Sequence, residues 1–575
     1  MKYTQFIIKN YKAIQELTVN VGNSIIPLIG INESGKTTIL HAILAFDKSK
    51  DSLMDGFHVN PKNRYLTRQS DCELTTCIEF EGSEEFEEVG KELRLSMDDP
   101  LYQWLSIKST NGLPIHLRRD FANGELESKY SIVDEDDNTV AHKKADLLAK
   151  TLYSRLPNIL YFDDFSDRVP PEVTFPANFA TDGKLSKGRI REWQEIIQEI
   201  FARALNEELS LRDFLNLKDE DDRSNYLSDV TQTLNQEIIT EWQKLKKSYT
   251  ELQTEESDSL SLKIDYNLAN GAPVFKFKVV DSEREQKERV FDIQVRSKGF
   301  QWFFNFIIKL RFNPKYRKFP ENAIFLLDEP GSYLHSSAQT GLLKVLKDIS
   351  KQNTILYCTH SQYLLDPDII NIGSIKIVSK DDGNIILEDY GNSKISREMG
   401  AFSALNHALK LKYGFSNDIL KRCILTEGIT DYYLLKMLLP FEGIHIIPGS
   451  GCGHLKEMIS LLIAYSDRFL VILDNDGEGR RNYNQYKSFF NNAFSENAYQ
   501  YSSFGKKDAD FVLEDLLSVE DQKRLMLLTN CNDVKKAITL IYFSDKKEEF
   551  IQGIDNTTQS NISILHRHIL EHLGK

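Results

Sequence analysis

The sequence predicts an α/β protein with parallel sheets in two successive halves, and three observations carry that expectation. Short apolar runs bounded by turn residues recur along the chain, too short to be helices. Helical patterns alternate with them. Several runs end directly in glycine-rich or acidic loops, where open parallel sheets place their sites. At 575 residues the chain also exceeds what one hydrophobic core serves, so at least two domains are expected.

Taken in order, the N-terminal MKYTQFIIKNYKAIQEL alternates apolar and polar residues and lacks an apolar leader core, so it reads as a first strand. Strand-like runs dominate from Lys2 to about Glu127. From about Ile190 to Leu252 the pattern becomes helical and charged, without Gly or Pro, as a helical insertion would be. Apolar runs return at Pro273 to Val280, Ala323 to Leu327, Thr354 to Tyr357, Ser374 to Val378 and Ile385 to Leu387. After a helical Phe402 to Tyr413 come Arg422 to Thr426, Ile444 to Pro448 and Phe469 to Leu473, alternating with helices. The main boundary is expected near Glu398 to Ala404. No repeat is present, and no low-complexity segment exceeds a short charged run such as Asp134 to Asp137.

A formal net charge of −14 argues against a surface that grips nucleic acid everywhere, while leaving room for a local basic groove. Part of the acidic excess suits carboxylates gathered around divalent metals. No segment approaches the roughly 20 uninterrupted apolar residues that span a bilayer, so no membrane insertion is expected. Six cysteines (Cys72, Cys77, Cys358, Cys423, Cys452 and Cys531) form no C-x-x-C pair, which fits neither a disulfide framework nor zinc. A reducing cytoplasm suits them.

Gly30-Ile31-Asn32-Glu33-Ser34-Gly35-Lys36-Thr37 matches G-x-x-x-x-G-K-[ST], after the apolar Ile25 to Ile29 and before a helix opening at Thr38. Glycines let backbone N–H groups wrap phosphates, Lys36 neutralises the β/γ phosphates of ATP, and the Thr37 hydroxyl can ligate Mg²⁺. Ala323 to Pro330 reads as a strand ending in Asp328, a metal holder, and Glu329, a polariser of attacking water. Ser297-Lys298-Gly299 precedes this strand and Thr359-His360-Ser361 follows it. In this order the motifs resemble Walker A, signature, Walker B and switch histidine of an ABC ATPase. That resemblance implies nucleotide contacts from Gly30, Asn32, Ser34, Gly35, Lys36, Thr37, Thr38, Asp328, Glu329 and His360. It also implies a homodimer in which Ser297 and Gly299 of one subunit close over nucleotide held by the other. Lys298 departs from the family by replacing a signature glycine.

Further on, Cys423 to Asp431 reads as a strand running into a helix, with Glu427 and Asp431 spaced to share one helical face. A glycine loop, Gly449-Ser450-Gly451, follows the next strand, and Phe469 to Leu473 runs into Asp474-Asn475-Asp476-Gly477. This is not a calcium loop, because Gln485 stands where that loop needs Glu. Four converging carboxylates repel unless metals neutralise them, the arrangement of two-metal phosphodiester chemistry.

The order E-G-x-x-D then D-x-D-G resembles the Toprim domain. Toprim after an ABC ATPase resembles the OLD (overcoming lysogenization defect) nucleases, a family that also holds the Gabija nuclease subunits and retron-associated nucleases. The resemblance implies an ABC ATPase over 1–185 and 263–400, a helical dimerisation insertion over 186–262, and a Rossmann-like Toprim domain over 401–575. It implies metal at Glu427, Asp431, Asp474 and Asp476, with Glu514 as the later acidic position, and at Thr37 and Asp328 in the ATPase half. Catalytic roles fall to Glu427, Asp474, Asp476 and Glu329, with a C-terminal lysine, Lys547 or Lys546, stabilising transition-state charge. The implied protein is an ATP-binding and ATP-hydrolysing, Mg²⁺- or Mn²⁺-dependent DNA endonuclease of antiphage defence, a homodimer or larger. An operon partner, either a helicase or a retron reverse transcriptase with its small DNA, comes with the family. Two alternatives stand beside it: a RecF-like or SMC-like repair ATPase, disfavoured in its SMC-like form by the lack of long heptads, and a nucleotide-gated clamp or sensor that does not cut.

Overall fold

The computed structural model describes residues 1–22, 24–48, 71–121, 128–162, 169–188, 190–204, 210–240, 242–243, 260–281, 289–312, 321–389, 422–439, 441, 443–449, 455–466, 468–504 and 510–574. The helix expected over Phe402 to Tyr413 and the boundary near Glu398 to Ala404 lie outside them. The chain divides into two compact units: Met1–Leu365 with Ser374–Phe402, and Asp366–Gly373 with Ser403–Lys575. The chain therefore enters the second unit for one short segment, returns, and enters it again.

The α/β class holds in both units. In the first, a six-stranded sheet runs from edge to edge through Asn384–Asp389, Lys376–Asp381, Ile25–Ile29, Thr354–Cys358, Ile324–Asp328 and Ile159–Phe162. All neighbours are parallel except the first pair. Ile25–Ile29 and Thr354–Cys358 are buried at every position, which is why they read as unbroken apolar runs. A five-stranded antiparallel sheet is ordered Ile14–Asn20, Lys2–Tyr11, Cys72–Glu79, Ile115–Phe121, Ser128–Val133. The two sheets share one core with the helix Lys36–Ala45: Phe6, Leu74 and Leu117 meet Ile39, Ile43, Leu28, Leu326 and Leu356 there. That helix is apolar nearly all round because nearly all of it is buried.

Two expectations need correction. Pro273 to Val280 was read with the parallel set, but Ala272–Asp281 is the centre of an antiparallel sheet flanked by Leu260–Ala269, Arg289–Asp292 and Val173–Thr174. The turn Asn270-Gly271, both residues at positive φ, closes a two-residue hairpin that only antiparallel neighbours can use. Likewise Ile385 to Leu387 is the antiparallel edge Asn384–Asp389, folded back by Asp382-Gly383 at positive φ. Two helices also interrupt the strand-rich N-terminal stretch, Ser83–Glu92 and Pro100–Thr110, the second opened by an Asp99 cap and Pro100.

The helical stretch starts as expected with Ile190–Ala204, whose Trp193, Ile196, Ile197, Ile200 and Phe201 form one buried stripe. It continues through Leu211–Asn216 and Glu220–Leu234. It packs on the antiparallel sheet through the rings of Phe201, Phe214, Tyr266 and Phe275, and the strand at Leu260 starts before the boundary expected at 262.

The wholly buried Arg119 ends the phosphate-loop helix. Its guanidinium donates to the Ala45 carbonyl at 2.5 Å and the Ser128 hydroxyl at 2.7 Å, and stacks on Phe121 at 4.5 Å. A cation there also complements the helix dipole. Arg119→Met is expected to lose about 3 kcal/mol, the order of two hydrogen bonds from a charged donor, read as a lower urea midpoint with unchanged slope.

In the second unit a four-stranded, all-parallel sheet is ordered His445–Pro448, Arg422–Thr426, Arg468–Leu473, Ala498–Gln500. Helices Ile429–Leu438, Lys456–Tyr465 and Gly477–Phe490 alternate with its strands, and Val519–Thr529, Val534–Tyr542 and Asn556–Leu573 follow. No helix among the described residues is long and apolar enough to cross a membrane.

Candidate nucleotide site and candidate metal centre

The Gly30–Thr37 loop leaves the strand Ile25–Ile29 and feeds the helix that starts at Lys36. A Cβ at Gly30 would sit 2.3 Å from the Val378 carbonyl oxygen, and Gly35 lies at φ +106° with its missing Cβ against Ile385. Both glycines are thus required by close approach, not by flexibility alone. Ser34 is buried with its hydroxyl oxygen unpaired, whereas Asn32 is exposed at the loop crest. Lys36 turns its ammonium onto the Gly30 and Ile31 carbonyls at 3.2 and 3.1 Å and onto His360 Nε2 at 2.9 Å.

Burial, then the Lys36 ammonium, lowers the pKa of His360, and burial lowers that of Lys36. An ammonium can only donate, so the imidazole is neutral and accepts at Nε2. Its 3.6 Å approach to Glu329 Oε1 is then a contact rather than an ion pair. Thr37 Oγ1 donates to Asp328 Oδ1 at 3.2 Å, joining the two expected Mg²⁺ ligands. Glu329 stands at φ 50°, a sparsely populated conformation for a residue with a side chain. Its amide bonds the Cys358 carbonyl at 3.1 Å, and its carboxylate accepts the His360 amide at 3.3 Å. Thr38 follows in the helix, half-buried. A loop with an orphaned hydroxyl, cradle glycines and a lysine over its carbonyls fits the phosphates of a nucleotide, and Thr37 with Asp328 fits its Mg²⁺.

Ser297, Lys298 and Gly299 stand at the start of the helix Lys298–Phe312. Ser297 and Lys298 are exposed, and Lys298 lies 4.8 Å over the Tyr333 ring. Gly299 is buried, leaving a Cβ only 3.0 Å from Leu334 and the Tyr333 carbonyl.

In the second unit the acids gather at the C-terminal ends of neighbouring strands. Glu427 and Asp431 do not share a helical face as the spacing suggested: Gly428 is the helix cap, so Glu427 stays outside the helix. Glu427 Oε2 accepts the Asp474 amide at 3.0 Å, tying two strand ends together. Asp431, buried, accepts the Gly428 amide at 3.1 Å and the Tyr501 hydroxyl at 2.9 Å. Asp474 accepts the Leu513 amide at 2.9 Å, and Asp476 caps the next helix through the Gly479 amide at 2.7 Å. A Cβ at Gly479 would lie 2.1 Å from the Asp474 carbonyl oxygen, and one at Gly449 would lie 2.5 Å from the Thr426 carbonyl oxygen. The Asp476 cap and the close approach of Gly479 shape the D-x-D-G-x-G segment. Ser450 and Gly451 lie outside the described residues.

Glu514 is buried, with Oε2 unpaired. Its apolar flanks Phe511-Val512-Leu513 were the sign. The lysine beside the acids is Lys535, 3.2 Å from Glu514 and 3.8 Å from Asp474, rather than Lys547 or Lys546. Lys547 lies over the Tyr542 ring and Lys546 donates to the Leu528 carbonyl. Lys535 had a readable signal: it occupies the first turn of the helix Val534–Tyr542, where the dipole disfavours a cation unless acids face it.

Among the described residues no three His, Cys, Asp or Glu side chains stand close enough together to hold a metal ion. Their surroundings nevertheless ask for positive charge. Burial pushes Glu427 up to about 7 and raises Asp431 and Asp474, with Asp474 adding repulsion at both Glu427 and Asp431. The donors are all oxygen, one of them the orphaned Glu514 Oε2, which is the ligand chemistry that a hard divalent cation takes. Carboxyls held above their unfolded values near 4 stabilise the fold most at low pH, and that contribution fades as pH rises through about 7 for Glu427. The metal-free protein is therefore expected to melt higher at pH 6 than at pH 8, with Mn²⁺ raising the melting temperature more at pH 8. A flat pH response in calorimetry would refute this.

Comparison with known proteins bears on both units. Over residues 1–365 the chain matches the family model for the AAA ATPase domain. It is 23% identical over 442 residues to Endonuclease GajA of Bacillus cereus, covering 76% of this chain and 69% of that protein. It is 30% identical over 116 residues to an uncharacterized protein of Methanocaldococcus jannaschii, covering 20% of this chain and spanning only 30% of that relative. Among solved structures, the SMC head domain from Thermotoga maritima overlays with a TM-score of 0.32 at 11% identity, covering 68% of this chain and 99% of that one. The phosphate loop, the Thr37–Asp328 pair and the Glu329–His360 pair all fall within the matched 1–365, which takes in well over half of the 575 residues, and the chain belongs to the AAA ATPase domain family.

Proposed function

We propose that this ATPase is a nucleotide-controlled, divalent-metal-dependent DNA endonuclease of the OLD type, with the second unit as its Toprim nuclease. The observation that carries the reading is the grouping of Glu427, Asp431, Asp474, Asp476 and Glu514 with Lys535 at the C-terminal edge of an all-parallel sheet. The likeness to Endonuclease GajA supports it. Glu427, Asp431, Asp474, Asp476 and Glu514 would hold Mg²⁺ or Mn²⁺. Bound there, Mg²⁺ or Mn²⁺ would supply Lewis acidity toward the scissile phosphate. Around it, Glu427 ties the strand ends in register, the Leu513 amide fixes the Asp474 carboxylate, and Lys535 offers positive charge to the scissile phosphate.

ATP, held by Gly30–Thr38, Asp328, Glu329 and His360, controls cleavage through a homodimer in which Ser297 and Gly299 complete the partner's site. The division into ATPase over 1–185 and 263–400, dimerising insertion over 186–262 and nuclease over 401–575 belongs to the same proposal. So do a cytoplasmic location, an antiphage role and an operon partner, whether helicase or retron reverse transcriptase. The test is supercoiled plasmid incubated with purified protein, Mg²⁺ or Mn²⁺, and with or without ATP. Metal-dependent nicking or linearisation is expected. Metal-dependent DNA binding without cleavage would favour a clamp instead.

A further inference from the structure

The fourth strand of the second unit's sheet, Ala498–Gln500, brings two side chains to the acids. Gln500 Nε2 donates to the Asp474 carbonyl at 3.1 Å, and Tyr501, in the turn that follows, donates its hydroxyl to Asp431 Oδ1 at 2.9 Å. Tyr501 is wholly buried, so its hydroxyl needs a partner. A buried hydroxyl kept for packing is satisfied by any carbonyl. Here the acceptor is itself a buried carboxylate beside other acids. The Gly428 amide takes Asp431 Oδ2 at 3.1 Å, so the two donors fix the carboxylate at both ends. Each oxygen still keeps a lone pair directed elsewhere.

We propose that Tyr501 is a positioning residue, whose hydroxyl holds the Asp431 carboxylate in the orientation that lets the acid cluster accept a divalent cation. The inference rests on the nuclease reading and deepens its metal site. Outer partners of this kind change metal affinity about 10–100-fold when removed. Tyr501→Phe keeps the ring and deletes only the donor.

Mn²⁺ binding is measured by titration calorimetry on the full chain, with ATP binding at the Lys36 loop as the control for an intact fold. Tyr501→Phe is expected to weaken Mn²⁺ binding about 10–100-fold, leave ATP binding unchanged, and add nothing further in an Asp431→Asn background. That non-additivity separates action through Asp431 from a loss of packing. Should the single variant fold poorly, the comparison of Asp431→Asn with Asp431→Asn/Tyr501→Phe, where no buried charge is left unsatisfied, supplies the test. Mn²⁺ affinity unchanged within twofold in Tyr501→Phe, or equal losses in both backgrounds, overturns the positioning role while the nuclease reading stands. Absence of Mn²⁺ binding by the unaltered protein overturns both.

Discussion

Asp474→Asn is expected to reduce metal-dependent DNA cleavage at least about 10³-fold, an activation cost of about 4 kcal/mol, without unfolding the protein. Asparagine matches the shape, and its side-chain oxygen can still accept the Leu513 amide now 2.9 Å from Asp474. What it removes is the charge. Burial raises the Asp474 pKa, so the charged form is disfavoured in the metal-free fold, and the neutral amide should leave melting unchanged or slightly higher. In the proposed metal centre the same charge would attract the divalent cation, so the substitution is expected also to abolish melting stabilisation by Mn²⁺. Lost cleavage, lost metal response and retained melting together identify a site that carries strain for function. Plasmid cleavage retained within threefold would sink the assignment.

How far the sequence could be read depended on whether a residue's reason was local. Gly30, Gly35, Lys36 and Thr37 were legible because one strand–loop–helix turn dictates each of them. Asp474 and Asp476 were legible in kind for the same reason, since the cap and the close backbone approach of Gly479 lie within six residues of sequence. Glu427 and Asp431 lack the shared helical face expected of them, because four-residue spacing implies one only inside a helix, and Gly428 puts the helix start between them. The hairpins at Asn270-Gly271 and Asp382-Gly383 carried a strong local signal that periodicity overrode. Tyr501 owes its place to acids remote in sequence, so no window contained both halves of the reason, and the helix-start position of Lys535 marked an unusual cation without naming its partners. Asp366–Gly373 is similar. Its membership of the second unit comes from Asp368, which pairs with Lys436 at 2.5 Å and accepts the Tyr432 hydroxyl.

Lys36→Met is expected to lower ATP hydrolysis about 10²–10³-fold, the scale on which one preorganised charge at a reacting centre acts. In this structure the ammonium is buried, donates to two loop carbonyls and leans on a neutral His360. Burial lowers its pKa, so the apolar stem of methionine should replace it at little cost to stability. Phosphates offer that ammonium better acceptors than carbonyls do, so arriving nucleotide would draw Lys36 away from the loop and release His360 Nε2. In the variant His360 has no such contact to release, and nucleotide can no longer reset the Glu329–His360 pair through Lys36. The measurement is phosphate release beside plasmid cleavage. Hydrolysis lost with cleavage made indifferent to ATP means that the nucleotide acts through this lysine. Hydrolysis lost with the ATP response of cleavage intact means that binding, not turnover, sets the nuclease.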